Sequence, residues 1–187
     1  MGSPEILKII GQIVGIFAFS VSCMRYFMKK KANIIKLSVF VYILYVIHYF
    51  LIGAIGGSYS LIIATFRDSY LYQREKHHKK HRHRKLYNNP MVFIFFFAVY
   101  TAMIIQNISN PVNILPLLAG IVYFSFEWFT TNKTTLKIAS SITNIPWIIF
   151  DVLSLSYAGI VSDVISYIAA FAGIMNDKKR RQRRRRS

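Results

Sequence analysis

The chain has 187 residues, of which 54% are hydrophobic, yet its formal net charge is +17. Soluble domains rarely combine the two, and here the apolar residues fall in runs of about 15–20, separated by short charged or Gly/Asn-rich breaks. This pattern predicts one polytopic membrane domain. The single cysteine, Cys23, excludes an internal disulfide.

Seven candidate spans follow one another along the chain. Each is expected to be a helix, because lipid offers the backbone no hydrogen-bond partners. The first apolar run has only Lys8 near its start and three lysines, residues 29–31, after its end, which favours an uncleaved first span. The predicted spans are Ile6–Met24, Ile34–Ile52, Ser58–Tyr72, Met91–Gln106, Ile114–Phe129, Leu136–Leu155 and Tyr157–Met175.

Two of these spans are less clearly marked than the others. The third is short and contains Arg67 and Asp68, which we expect to pair with neighbours or to extend towards the membrane surface. The seventh follows the sixth so closely that a long re-entrant hairpin is an alternative to two separate spans.

The basic residues test the number of spans. With seven spans, the loops near residues 25–36, 73–89 and 130–137 and the C-terminal tail lie on one side of the membrane. Counting Arg67 with the second loop, these segments carry 5, 8, 2 and 8 of the 24 Lys and Arg residues. Only Lys8 lies on the other side, so the positive-inside rule predicts the N-terminus outside and the C-terminus inside.

Residues 74–85, REKHHKKHRHRK, hold seven Lys or Arg and four of the five histidines. We interpret this segment as a cytoplasmic loop that fixes topology and contacts anionic lipid headgroups. Metal binding is the alternative, because His77 and His81 have helical i,i+4 spacing. No cysteine accompanies them and the surrounding Lys and Arg would repel a cation, so neither a metal site nor a cofactor is predicted. The residues assigned to lipid headgroups are Lys79, Lys80, Arg82 and Arg84, with Arg180 and Arg181 in the tail.

The tail, KKRRQRRRR at residues 178–186, resembles the arginine-rich RNA-binding segment of a lentiviral transactivator. Such segments have low complexity, and a basic tail after a last span is common. Nucleic acid is therefore disfavoured as a partner, and anionic lipid is favoured.

The two halves of the chain resemble each other. GIFAFS at residues 15–20 matches GIVYFS at residues 120–125 in four of six positions, at an offset of 105. Gly57 with Gly159, and Ser60 with Ser162, keep an offset of 102. Chance similarity between apolar helices is the alternative, but the repeat agrees with the charge alternation and favours duplication.

The repeat predicts two three-helix units in the same orientation, joined by a linker helix, a 3+1+3 arrangement. The fold class is thus an all-α polytopic membrane protein with seven transmembrane helices. Its predicted parts are a first unit at 1–72, a basic cytoplasmic loop at 73–89, a linker helix at 90–110, a second unit at 111–175 and a basic cytoplasmic tail at 176–187.

This arrangement is that of the SWEET and PQ-loop transporters, and nearly the whole chain resembles the YgjV family of bacterial inner-membrane proteins. The resemblance rests on IGQIVGI near the start, HYFLIGAIGG at 48–57, Arg67, Pro146-Trp147 and YAGIVSD at 157–163. It implies a multi-pass protein of the bacterial inner membrane and, within the wider superfamily, passage of a small polar solute between two three-helix units. The chain has Ser162-Asp163 where the family has a Gly-Glu pair.

Polar groups inside a span are expensive and point to function. Asp151 and Asp163 are the strongest candidates, either to bind a cationic or hydroxyl-rich solute or to exchange a proton. Residues of a solvent-wetted outer vestibule are the alternative. His48 lies near the repeat equivalent of Asp151, so a His–Asp pair can form a proton-sensitive gate. An amphipathic anchor at the interface is the other interpretation of His48.

Three residues near the middle of the sixth span are further candidates. Pro146 removes a backbone donor and can break the helix, which exposes backbone groups to a cavity. Asn144 and Trp147 flank it, and their repeat equivalents are Tyr42 and Tyr45. Trp147 and Tyr45 can stack on a flat or sugar-like solute from opposite sides, and ordinary packing is the alternative. For Glu127, near the end of the fifth span, we expect a local ion pair with Lys133.

No enzyme signature occurs in the sequence: it has no Gly-rich phosphate loop, nucleophile elbow or two-His metal motif within a span. The favoured function is a transporter or facilitator of a small polar solute, with the site between the two units. The alternative is a scaffold or regulator that binds anionic lipid or a cytoplasmic partner through its basic loop and tail. Assembly as a homo-oligomer stays open.

Overall fold

The computed structural model describes residues 3–24, 31–77, 89–130 and 133–186. These residues form seven helices and, within those ranges, no strand. The all-helical class predicted from the sequence is therefore confirmed for the described part of the chain. The helices are α1 (Ser3–Cys23), α2 (Lys31–Ile52), α3 (Ile55–His77), α4 (Pro90–Gln106), α5 (Pro111–Phe129), α6 (Lys133–Leu153) and α7 (Tyr157–Arg186).

Two helices extend well beyond the C-terminal ends of their predicted spans. α3 continues past Tyr72 to His77, and α7 continues past Met175 to Arg186, into the segment predicted as a tail. The added residues contain no Gly or Pro and are rich in Arg, Lys, Gln and Glu, which are strong helix formers. The predicted spans follow apolar content, which ends before the helical conformation does.

Within the described residues, three helices are long and apolar enough to cross a membrane, over Glu5–Cys23, Asn33–Ile52 and Pro111–Phe129. Shorter apolar helices cover Pro90–Gln106, Ile138–Leu153 and Tyr157–Ile168. Many large apolar side chains lie on the outer surface of the bundle, as expected for a protein surrounded by lipid tails.

The helices pack in two groups. α2 packs between α1 and α3, and α6 packs between α5 and α7. The groups meet where α3 contacts α5 and where α1 contacts α7, while α4 packs against α5 and α3. If α1–α3 are exchanged for α5–α7 in order, the α3–α5 contact becomes the α7–α1 contact, and both contacts are observed. The contact pattern therefore has the symmetry expected of a parallel repeat. The 3+1+3 arrangement and its orientation in the membrane stay predictions.

The two ends of the bundle differ in charge. Gly11 and Gly15 of α1 approach the end of α2, and Gly56 at the start of α3 approaches Asn113 at the start of α5. Gly15 also approaches Ala158 at the start of α7. We call this the neutral end. The helix ends that flank the Lys/Arg-rich segments lie opposite, at the basic end.

Two turns at the neutral end have the same backbone. Residues 49–54 and 151–156 are separated by 102 positions, the offset found in the sequence. In each turn the N–H of the last residue donates to the carbonyl of the first, at 2.8 and 2.9 Å. In each the fifth residue has a positive φ, 81° at Gly53 and 53° at Leu155. The repeat therefore extends from sequence to backbone conformation.

Candidate functional site

A cavity of about 330 Å³ lies between the two helix groups. This volume is at the lower end of the range of small-molecule sites. The cavity reaches from Tyr49 and Trp147 near the neutral end to Ile34 and Glu127 near the basic end. Its polar and aromatic lining comprises Ser38, Tyr42, Tyr45, Tyr49, Ser60, Arg67, Asp68, Tyr100, Tyr123, Glu127, Ser140, Thr143, Asn144, Trp147, Ser162, Asp163 and Ser166.

Of the six residues assigned to the solute site from the sequence, four line this cavity: Tyr45, Asn144, Trp147 and Asp163. They come from α2, α6 and α7, so the fold brings Tyr45 together with side chains that lie about 100 or more positions further along the chain. Asp163 is half-buried. Pro146 lies within α6, which continues from Lys133 to Leu153. The helix is thus not divided at the proline, although the residues on both sides of it face the cavity.

Three aromatic rings form a stack along one wall of the cavity. Tyr49 lies between Tyr45 and Trp147, with ring centroids 6.0 and 5.9 Å apart and interplanar angles of 27° and 28°. Phe150 meets Tyr49 edge-on at 5.7 Å. The gap between Tyr45 and Trp147 that we assigned to a solute is therefore filled by the side chain of Tyr49. A solute can contact these rings only on the face that lines the cavity.

Asp151 lies behind this aromatic wall and is 0% exposed. The hydroxyl of Tyr49 donates a 2.7 Å hydrogen bond to its Oδ1. The burial contradicts the solvent-wetted vestibule offered as an alternative for Asp151. The other oxygen, Oδ2, has no hydrogen-bond partner among the described residues. A buried carboxyl is costly unless donors satisfy it, so the hydrogen bond from Tyr49 contributes strongly to the stability of this part of the fold.

The partners Tyr49 and Asp151 are 102 positions apart, so they are repeat equivalents. The sequence interpretation placed His48 opposite Asp151, at a position that is one residue out of register. The correct equivalent of His48 is Phe150. The direct His–Asp gate is accordingly replaced by a Tyr–Asp pair and by a network around His48 that runs through Ser156.

His48 is 0% exposed and links α1, α2 and the turn before α7. Its Nδ1 lies 2.7 Å from the carbonyl oxygen of Gly11, and its Nε2 lies 2.8 Å from the hydroxyl of Ser156. Because a carbonyl only accepts, we assign the proton to Nδ1. Nε2 of the neutral ring then accepts from Ser156, whose oxygen accepts from the N–H of Gly159 at 3.3 Å.

Small residues permit this packing. A Cβ added to Gly15 would lie 2.7 Å from both Nδ1 of His48 and Cβ of Ala158. A Cβ added to Gly159 would overlap Oδ2 of Asp151 and lie 2.5 Å from Oγ of Ser156. Side chains at these glycines would therefore force the helices apart at the neutral end.

Gln12 adds a second connection between α1 and the turn before α7. Its side-chain amide donates to the carbonyl of Leu155 at 2.9 Å, and its carbonyl oxygen accepts from the N–H of Ala158 at 3.3 Å. Together with His48, this glutamine closes the neutral end of the bundle over the cavity.

The cavity wall towards the basic end contains an ionic cluster that sequence reasoning underestimated. Arg67 is 2% exposed, so of the two alternatives expected for it the structure shows pairing with neighbours and not extension to the membrane surface. Its Nε donates to Asp68 at 2.7 Å, and its Nη2 lies 2.6 Å from the same carboxylate. Nη2 also lies 3.8 Å from Glu127.

Two further contacts hold the Arg67 guanidinium in place. Nη1 donates to the hydroxyl of Tyr100 at 3.5 Å. The guanidinium carbon lies 5.7 and 5.6 Å from the ring centroids of Tyr123 and Phe124. Glu127 therefore lies near Arg67 on α3. Its expected ion pair with Lys133 stays a prediction, because the side chain of Lys133 lies outside the described part.

Several residues of the basic loop and tail also lie outside it. The structure does not describe Lys79, Lys80, Arg82 and Arg84, nor the histidines at 78, 81 and 83, and it gives only backbone for Arg180 and Arg181. Within the described ranges, no group of three or more His, Cys, Asp and Glu side chains is placed to hold a metal ion.

Comparison with known proteins gives the family. A search of curated proteins found no match, and a search of solved structures also found none. The family model described as "Imp-YgjV: Bacterial inner membrane protein" matches residues 9–181, which includes all seven helices in whole or in part. The chain therefore belongs to the Imp-YgjV family and is a multi-pass protein of the bacterial inner membrane.

Proposed function

We propose that this protein is a transporter or facilitator of a small polar solute, and not an enzyme, with its site in the cavity between two three-helix units. The observation that carries the proposal is the cavity itself, about 330 Å³ in volume and lined by polar side chains from both groups of helices. Polar and charged groups inside a membrane protein mark solute or ion pathways, because burying them for packing alone is costly.

The packing at the neutral end supports the proposal. His48 and Asp151 are fully buried there, and the stack of Tyr45, Tyr49 and Trp147 separates them from the cavity. The cavity is therefore closed towards the neutral end in this conformation. A transporter alternates between closures at its two ends, and a site between two repeated units suits that motion.

The proposal is tested with purified protein in vesicles. Vesicles are incubated with a mixture of small metabolites, washed, and their contents identified by mass spectrometry. Ala64 lines the cavity, so Ala64→Trp should block it and abolish the uptake seen with the unchanged protein. Ala98, an exposed residue of α4, provides the matched control, and Ala98→Trp should keep uptake. Equal uptake by unchanged and Ala64→Trp vesicles would refute transport through this cavity.

The scaffold or regulator function is favoured by one observation, the concentration of 23 of the 24 Lys and Arg residues in the segments at the basic end and Arg67. Replacing Arg180–Arg186 by Gln distinguishes the two functions. A transporter should keep uptake in this variant and lose it in Asp163→Asn. A scaffold should lose binding to anionic vesicles with the tail change and tolerate the change at Asp163.

A further inference from the structure

More acidic than basic side chains line the cavity. The described lining contains one guanidinium, Arg67, and three carboxyl groups, Asp68, Glu127 and Asp163, and it contains no Lys or His. Two of these carboxyl groups, on α3 and α5, lie beside Arg67, and the third, Asp163, lies on α7. An excess of carboxylates in a site enclosed by protein produces a negative potential, which attracts cations and repels anions.

Arg67 does not make the cavity attractive to an anionic solute. Its guanidinium contacts Asp68 at 2.6 and 2.7 Å and Glu127 at 3.8 Å. The ring faces of Tyr123 and Phe124 cover it further. Its charge and its directional donors are thus engaged within the wall, and an anionic solute would have to displace a buried carboxylate to use them.

The aromatic lining favours the same class of solute. Tyr45, Tyr49 and Trp147 line the cavity together with Asp163. Ring faces attract ammonium groups, most strongly where water is excluded. Phenol and serine hydroxyls in the same wall can accept hydrogen bonds from an N–H donor.

We propose that the solute is a small organic cation whose ammonium group lies against Asp163 and the neighbouring aromatic rings. This inference rests on the proposed function and names its substrate class. The volume of about 330 Å³ restricts the cation to a small molecule. Neutral and anionic molecules of the same size and shape bind the cavity less well.

The test measures the cavity's charge preference and needs no knowledge of the solute. The single cysteine is replaced by Cys23→Ser, and Ser140, which lines the cavity, is changed by Ser140→Cys. Two methanethiosulfonates of similar size, one with a trimethylammonium group and one with a sulfonate, then compete for this thiol. The ratio of their two reaction rates with this thiol is divided by the ratio of their rates with 2-mercaptoethanol, which corrects for the intrinsic reactivity of each reagent.

The cationic reagent should react faster by about ten-fold or more after this correction. Adding Asp163→Asn should lower the ratio at least about three-fold, whereas Asp163→Glu should preserve it. Glu5→Gln, a change of the same kind at an exposed residue of α1, is the matched control and should leave the ratio unchanged.

The outcomes separate this inference from the proposed function. A corrected ratio near one, or a ratio that does not respond to Asp163→Asn, would overturn the cation preference and leave the cavity's role in transport intact. A thiol that reacts with neither reagent in the native protein, but with both after unfolding, would overturn the inference and the proposed function together.

Discussion

The turn after α2 and the turn after α6 share a backbone and differ in side chains. Both have a fifth residue of positive φ and the same closing hydrogen bond. The first turn presents Tyr49 and ends at Ala54, whereas the second presents Asp151 and ends at Ser156. The two turns therefore share a backbone conformation, and they differ in chemistry because their side chains differ.

The distinguishing side chains meet one another. The hydroxyl of Tyr49 donates to Asp151, which is its own repeat equivalent. Ser156 accepts from Gly159 and bonds His48, a contact that its equivalent Ala54 has no side-chain atom to make. The contacts that close the neutral end are thus made by side chains that differ between the two turns, and each contact can be removed by substitution.

The largest effect is expected from Asp151→Ala. It leaves the Tyr49 hydroxyl buried without its acceptor and opens a small void, so the free energy of unfolding should fall by about 2–4 kcal/mol. Thermal unfolding in detergent measures this loss. Asp151→Asn keeps an acceptor for Tyr49 and should cost clearly less. Equal losses in the two variants would contradict the role assigned to the Tyr49 hydrogen bond.

The next largest effect is expected from Gly159→Ala. The new methyl would overlap the carboxylate of Asp151 and should lower the free energy of unfolding by about 1–3 kcal/mol through overpacking. Combining Gly159→Ala with Asp151→Ala removes the overlapping atoms. In unfolding measurements the double variant should therefore be more stable than the sum of the two single losses implies. Simple additivity would exclude the clash with Asp151 as the cause.

Ser156→Ala makes the second turn resemble the first. It removes the hydroxyl between His48 and Gly159, leaves Nε2 of His48 buried without that donor, and should lower the unfolding free energy by about 1–2 kcal/mol. The reciprocal change, Ala54→Ser, is the matched control and should give no comparable gain, because His48 and its partners belong to the other turn. Thermal unfolding of both variants measures the difference.

The smallest effects concern the residues of positive φ. Gly53→Ala should lower the unfolding free energy by about 1 kcal/mol through backbone strain alone, because a Cβ there meets no atom within 4 Å. Leu155→Gly should instead raise it by up to about 1 kcal/mol, since it relieves the same strain at a largely exposed side chain. Changes of the same sign in calorimetry would show that the two turns are not equivalent.

Sequence reasoning predicted the helices, the offset of 102 and four of the side chains that line the cavity. Apolar length and charge alternation identify helices directly, and identical glycines reveal the offset. It misassigned the partner of Asp151 by one residue, because a histidine suggested chemistry and Tyr49 looked like one of many aromatic residues. A hydrogen bond between repeat equivalents can be predicted only when the alignment of the two halves of the chain is known to the exact residue.

The ionic cluster was missed for a different reason. Arg67 and Asp68 were evident as charges within a span, and Glu127 was evident near the end of another. Their convergence depends on α3 packing against α5, which neither periodicity nor charge can predict. The length of α7 was underestimated because the span was judged by apolar content and not by helix propensity.

The hydrogen bond between Tyr49 and Asp151 also bears on how such a chain could originate. In a symmetric dimer of three-helix chains, any residue on the two-fold axis faces an identical copy of itself. Two aspartates in that place would repel unless they shared a proton, and two tyrosines would bond each other without a carboxylate acceptor. Only a fused chain, whose copies mutate independently, can place an acid opposite a phenol. The pair thus marks a specialisation that no homodimeric ancestor could have carried.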